Sequence, residues 1–138
     1  MAIVEELLKR GADVNVKDSY IGYTPLHWAA EGGFVSIVEL LVDKYEANVN
    51  EKNGINSTFS DTYSYSTPMH LACAYGKTST ALALLARGAN PNLVDREGRT
   101  PLMLACYYEF IDTVADLILK GMYTCSYSQY RHIHMCQC

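Results

Sequence analysis

The side chains with the most capacity for chemistry lie at the end of this sequence. Cys125 is followed by His132, His134, Cys136 and Cys138, so four thiols and imidazoles fall within seven residues. Thiolate and imidazole suit Zn²⁺ or Cu⁺. Zinc sites separate the members of a ligand pair by about two to five residues, whereas here a single residue intervenes; no metal site and no cofactor are expected. His27 and His70 each stand alone in an apolar stretch. An imidazole in that setting satisfies local hydrogen bonds far more often than it performs catalysis. The sequence has no glycine-rich phosphate loop, no Gly-x-Ser-x-Gly elbow and no His-Glu-x-x-His pair, so it reads as a non-enzyme. The five cysteines are an odd number, and two of them, Cys73 and Cys106, recur at equivalent places. They read as small buried hydrophobes rather than as a disulfide framework. Asn56-Ser57-Thr58 matches a glycosylation acceptor, read here as a chance match.

Composition narrows the classes. Hydrophobic residues make up 49% and charged residues 19% of 138, which is globular rather than disordered. A net charge of −4 without a basic stripe argues against nucleic acid as a partner. No apolar run approaches the ~20 residues that span a bilayer, so no membrane partner is expected. Glu5 and Glu6 interrupt the apolar pattern of residues 1–10, which excludes a signal peptide. The expected location is intracellular, cytoplasmic or nuclear.

The elements that position these residues are repeated. Thr24-Pro25-Leu26-His27 returns as Thr67-Pro68-Met69-His70 and as Thr100-Pro101-Leu102-Met103, at spacings of 43 and 33. A second marker reads Leu7-Leu8-Lys9-Arg10-Gly11-Ala12-Asp13-Val14-Asn15 and later Leu84-Leu85-Ala86-Arg87-Gly88-Ala89-Asn90-Pro91-Asn92. A degraded copy runs from Leu40 to Asn50. Internal periodicity of this length marks a stacked array. Thr24, Thr67 and Thr100 are placed to cap a helix N-terminus, with proline at the first helical position. Ile37, Val38, Leu40 and Leu41 have helical apolar spacing, as do Leu82, Leu84 and Leu85, and Ile111, Val114, Leu117 and Ile118. Gly11, Gly88 and Gly121 end these second helices. Asn15, Asn50 and Asn92 can tie the following loop through their side chains.

These motifs resemble the ankyrin repeat, over most of the chain from about Ile3 to Gly121. The resemblance implies an all-α solenoid of stacked helix-turn-helix pairs joined by β-hairpin-like loops. It also implies a division into a half repeat (1–15), repeats at about 16–50, 51–92 and 93–121, and a divergent tail (122–138). Arrays of this family bind other proteins through a concave face and loop tips. Carried onto this sequence, that points to Tyr20, Tyr23, Tyr65, Arg96 and Arg99 at the loops. On the inner helices it points to Glu31, Tyr75, Tyr107 and Tyr108. The chain has 11 tyrosines, and Tyr is enriched in binding surfaces. Trp28 is expected to pack internally. The resemblance further implies that Asn15 and Asn92 could be hydroxylated by an asparaginyl hydroxylase. The partner is expected to be another protein, bound by a monomer. Alternatives are a small inhibitor of a larger enzyme such as a kinase, a recruitment adaptor, or a fragment of a longer ankyrin protein.

The sequence departs from the repeat in places. Single extra residues fall near Ile21 and Lys44, and Glu46 stands where glycine is usual, so that helix end is either remodelled or strained. An insert of nine residues lies within 52–66. In the last repeat Met103 replaces the motif histidine and Glu109 a glycine, as in an atypical terminal copy.

Overall fold

The computed structural model describes residues 1–54 and 64–120. Gly121, the tail with its cysteines and histidines, the Asn56 sequon and the middle of the insert lie outside the described residues. Among the described residues seven α-helices follow one another: α1 (Ala2–Lys9), α2 (Pro25–Gly32), α3 (Val35–Glu39), α4 (Pro68–Ala74), α5 (Thr78–Ala86), α6 (Pro101–Tyr107) and α7 (Ile111–Leu119). Helix α3 runs on as a π-helical turn, Leu40–Lys44. Among these residues there is no strand.

The helices form two layers. Helix α4 packs between α2 and α6 in an inner layer, while α5 packs between α3 and α7 in an outer one. Small residues make the close approach possible. Ala29, Ala30, Ala72, Cys73 and Ala105 are nearly or fully buried at the contacts, and Leu26, Met69, Val38, Leu41, Leu84 and Leu117 fill the space between the layers. Each such buried aliphatic side chain contributes about 1.5–3 kcal/mol. Burial also holds the Cys73 thiol neutral, pushed up to about 12, with Cys106 adding to the shift.

Each inner helix begins at a threonine in extended conformation followed by proline. At Thr24 and Thr67 the backbone N–H donates to the histidine Nδ1 three residues on, at 3.2 and 3.1 Å, and the hydroxyl lies 2.8 Å from the same nitrogen. The other ring nitrogen reaches the next repeat: His27 Nε2 donates to the Ser66 carbonyl at 3.1 Å and His70 Nε2 to that of Arg99 at 3.0 Å. A carbonyl can only accept, so both rings are the neutral Nε2–H tautomer. Met103 has no such donor. The Thr100 N–H points at its sulfur at 3.2 Å, and the Thr100 hydroxyl instead accepts from the Met103 N–H at 3.4 Å.

The two extra residues of the second repeat are absorbed differently. In the outer layer the extra residue widens α3 into the π-helical turn, which is how a helix takes up one inserted residue. The chain then leaves through Glu46 at φ 54°, where Gly11 and Gly88 have φ 91° and 87°. Glu109, at φ 58°, likewise stands where Gly33 and Gly76 have φ 78° and 64°. Both glutamates therefore hold a left-handed backbone that costs a residue with a Cβ of the order of 1 kcal/mol.

In the loops, one backbone bond closes the base of each finger: Asp18 N–H to the Tyr23 carbonyl, Asn53 to Ser66 and Asp95 to Arg99, at 2.9, 2.9 and 3.0 Å. The second extra residue simply lengthens the first finger. The insert hangs from the same base, which the Ser66 N–H reinforces by donating to Asn53 Oδ1 at 2.6 Å. A closed base lets the loop grow without disturbing the stack.

Candidate functional site

The inner helices end in two rows of side chains that run across the repeats. Seven residues after each threonine stand Glu31, Ala74 and Tyr107; one further on stand Gly32, Tyr75 and Tyr108. Adjacent helices in such a layer lie about 8–10 Å apart, so the rows form one ledge. Tyr107 is 72% exposed and Tyr75 41%, and Glu31 and Tyr108 are half-buried. The Tyr107 and Tyr108 rings meet edge to face, 4.9 Å apart, and Tyr108 lies 6.3 Å from Phe110. The Tyr75 phenol is made less acidic, first by burial, then by the charge of Glu31 and by Tyr108, so all three groups share one environment.

Phe34 belongs to this ledge although the sequence reading does not nominate it. Its ring lies over Gly32, with ring carbons 2.3–3.0 Å from where a Cβ would sit. The ring thus fills the place that Tyr75 and Tyr108 fill in the later repeats. The signal was present in Gly32 itself, a missing side chain with an aromatic two residues on.

Other nominated residues are scattered on the fingers. Tyr20 is 84% exposed, while Tyr65 lies over Gly54 with φ 60° and Arg96 is exposed. Two nominations are corrected. Tyr23 is only 5% exposed; its ring stacks on His27 with centroids 5.3 Å apart and meets Trp28 edge to face at 5.0 Å. The Arg99 side chain is 17% exposed and its Nε pairs with Asp95 Oδ2 at 2.8 Å. One geometric reason covers both. They precede the helix-capping threonine, where the finger folds back onto the repeat, and Ser66 at the same place is fully buried.

Trp28 is a correction in the opposite sense. It is 52% exposed, whereas Leu71 and Leu104 at the equivalent positions are completely buried. Those leucines have an inner helix packed on the preceding side, α2 against α4 and α4 against α6; α1 supplies only an outer helix ahead of α2.

Asparagine side chains join the turns of successive repeats. The Asn48 N–H donates to Asn15 Oδ1 at 2.9 Å, and the Asn90 N–H to Asn50 Oδ1 at 2.7 Å. Asn15 and Asn92 are both exposed. Across the outer layer Lys44 pairs with Glu5 at 2.7 Å, and Arg87 forks onto both oxygens of Asp43 at 2.8 Å. Among the described residues no three His, Cys, Asp or Glu side chains group as a metal site would require.

The description ankyrin repeats, in three copies, matches residues 1–58 and 52–128. The chain belongs to the ankyrin-repeat family. It is 36% identical over 101 residues to the E3 ubiquitin-protein ligase Ufd4 of Drosophila melanogaster, covering 73% of this chain and 3% of that protein. It is 34% identical over 100 residues to the tyrosine-protein kinase HTK16 of Hydra vulgaris, covering 71% and 12%. To the CAP-Gly domain-containing linker protein 3 of Mus musculus it is 32% identical over 97 residues, covering 70% and 17%. The chain thus spans a small part of the curated relatives it matches. An ankyrin array is a non-catalytic interaction fold, and such arrays bind other proteins. No helix among the described residues is long and apolar enough to cross a membrane.

Proposed function

We propose that this ankyrin array binds a partner protein as a monomer, through the inner-layer ledge of Phe34, Tyr75, Tyr107 and Tyr108 with Glu31. The observation that carries this reading is burial. All seven residues of α4 are buried, yet the ring that follows them, Tyr75, is 41% exposed, and Tyr107 on the neighbouring helix is 72% exposed. Large rings held at the surface by a rigid layer give contact area at little entropic cost. The test is affinity capture with the parent chain and a Tyr75→Ala, Tyr107→Ala, Tyr108→Ala variant. A partner retained equally by the folded variant would sink the ledge as the binding face. A captured enzyme whose activity changes on binding would make the chain an inhibitor; two simultaneous partners would make it an adaptor.

Trp28 favours a second reading, in which the open side of α2 takes a further ankyrin repeat as α4 takes α2. Support comes from Leu71 and Leu104, which occupy the same position and are completely buried. Fusing a consensus repeat ahead of Met1 is expected to raise Tm by several degrees and to shift Trp28 fluorescence to the blue. Unchanged Tm and fluorescence would rule this reading out.

A further inference from the structure

The ledge is not uniformly aromatic. In its first row a small residue, Ala74, separates the carboxylate of Glu31 from the exposed ring of Tyr107. In its second row the Phe34, Tyr75 and Tyr108 rings follow one another. The step at Ala74 therefore has a carboxylate at one end, a ring at the other and rings along its side.

Seven of the fourteen acids among the described residues have a basic partner. Glu5, Glu6, Glu39, Asp43, Glu51, Asp95 and Glu97 each hold a lysine or arginine within 4.0 Å. Glu31 is not one of them, nor are Asp13, Asp18, Glu46, Glu109, Asp112 and Asp116, but Glu31 alone of these lies in a row of the ledge. Lys77 packs its stem against Gly33 near the end of the same helix, yet its ammonium does not pair with Glu31. An apolar partner laid over this step would strip water from a carboxylate without replacing its hydrogen bonds, which is costly. A cation removes that cost and gains from the negative faces of the rings.

We infer that the ledge takes an arginine side chain from the bound protein segment, its guanidinium lying against Tyr75 and pairing with Glu31. Arginine fits better than lysine because its planar fork stacks on a ring and engages a carboxylate with two parallel bonds. The chain's net charge of −4 favours the approach of a basic segment. The inference rests on the protein-binding reading above and adds the chemistry of the partner.

The test pans a phage-displayed random-peptide library against the whole chain. Enriched peptides are expected to share an arginine. Its replacement by glutamine, or Glu31→Gln in the chain, should each weaken binding about tenfold, and the two together no more than either alone. Glu31→Gln is nearly isosteric, and removing a negative charge from a helix C-terminus favours the helix, so the variant should fold. Circular dichroism checks this. Peptides that depend on Tyr75, by Tyr75→Leu, but ignore Glu31→Gln would overturn the arginine inference and leave the ledge standing. A library yielding no peptide sensitive to Tyr75→Leu or Tyr107→Ala would overturn both.

Discussion

Helices α2 and α4 begin with nearly the same four residues and occupy the same layer, yet they are buried to very different degrees. Helix α4 has a neighbour on each side and all seven of its residues are buried. Among the described residues helix α2 has an inner neighbour on one side only, and its Trp28 is half in solvent where α4 has Leu71 at 0%. Helix α1, with no inner partner, has no buried residue at all. In a stacked array the repeat motif specifies which face is apolar, and the neighbour decides whether that face becomes core.

The largest test of this difference is acid. Burial holds the His27 and His70 imidazoles at about 4, and their Nε2–H bonds cross the joints to the next repeat. The unfolded chain takes up these protons near the ordinary value of 6.5, so it binds more protons than the folded chain between the two values. Stability should be fully present above pH 6.5 and fall as pH drops toward 4. The loss is at most about 3 kcal/mol per histidine. Urea denaturation at pH 7 and at pH 4.5 checks it; a stability independent of pH in this window would contradict the neutral, joint-spanning role.

Next comes truncation at the two equivalent positions. Leu71→Ala should cost about 2–5 kcal/mol, as for a fully buried leucine, and Trp28→Ala less than about 1 kcal/mol. Equal costs in denaturant titrations would mean that the edge of α2 is as well packed as the centre. The smallest effect is expected where glutamate replaces glycine. Glu46→Gly and Glu109→Gly should each stabilise by about 0.5–1 kcal/mol, because the left-handed backbone no longer carries a Cβ. A fall in Tm would show that the glutamate side chains contribute more than the strain removes.

Much of this was readable beforehand because it depends on neighbours in sequence. Thr-Pro starts a helix whatever surrounds it, glycine ends one, and the apolar spacing names the inward face. The extra residue near Lys44 and the misplaced Glu46 were visible as faults in the pattern, although whether the helix would kink, shift or widen into a π-turn was not. The binding ledge was only partly legible. Tyr75, Tyr107 and Tyr108 follow from their place after the motif. Tyr23 and Arg99 looked equally exposed, but the finger folds them back onto the repeat. Phe34 reached the ledge by lying over a glycine.

By itself, then, the sequence determined the repeat, its helices and the apolar face of each, since these are set by local backbone preference and periodicity. Only the tertiary structure decided which of those faces became interior, which rings stayed at the surface, and that Glu31 stands beside them with no counter-ion among the described residues. Burial and pairing depend on what lies a helix spacing away across the stack, and the residues joined there are 29 and 39 positions apart in the chain.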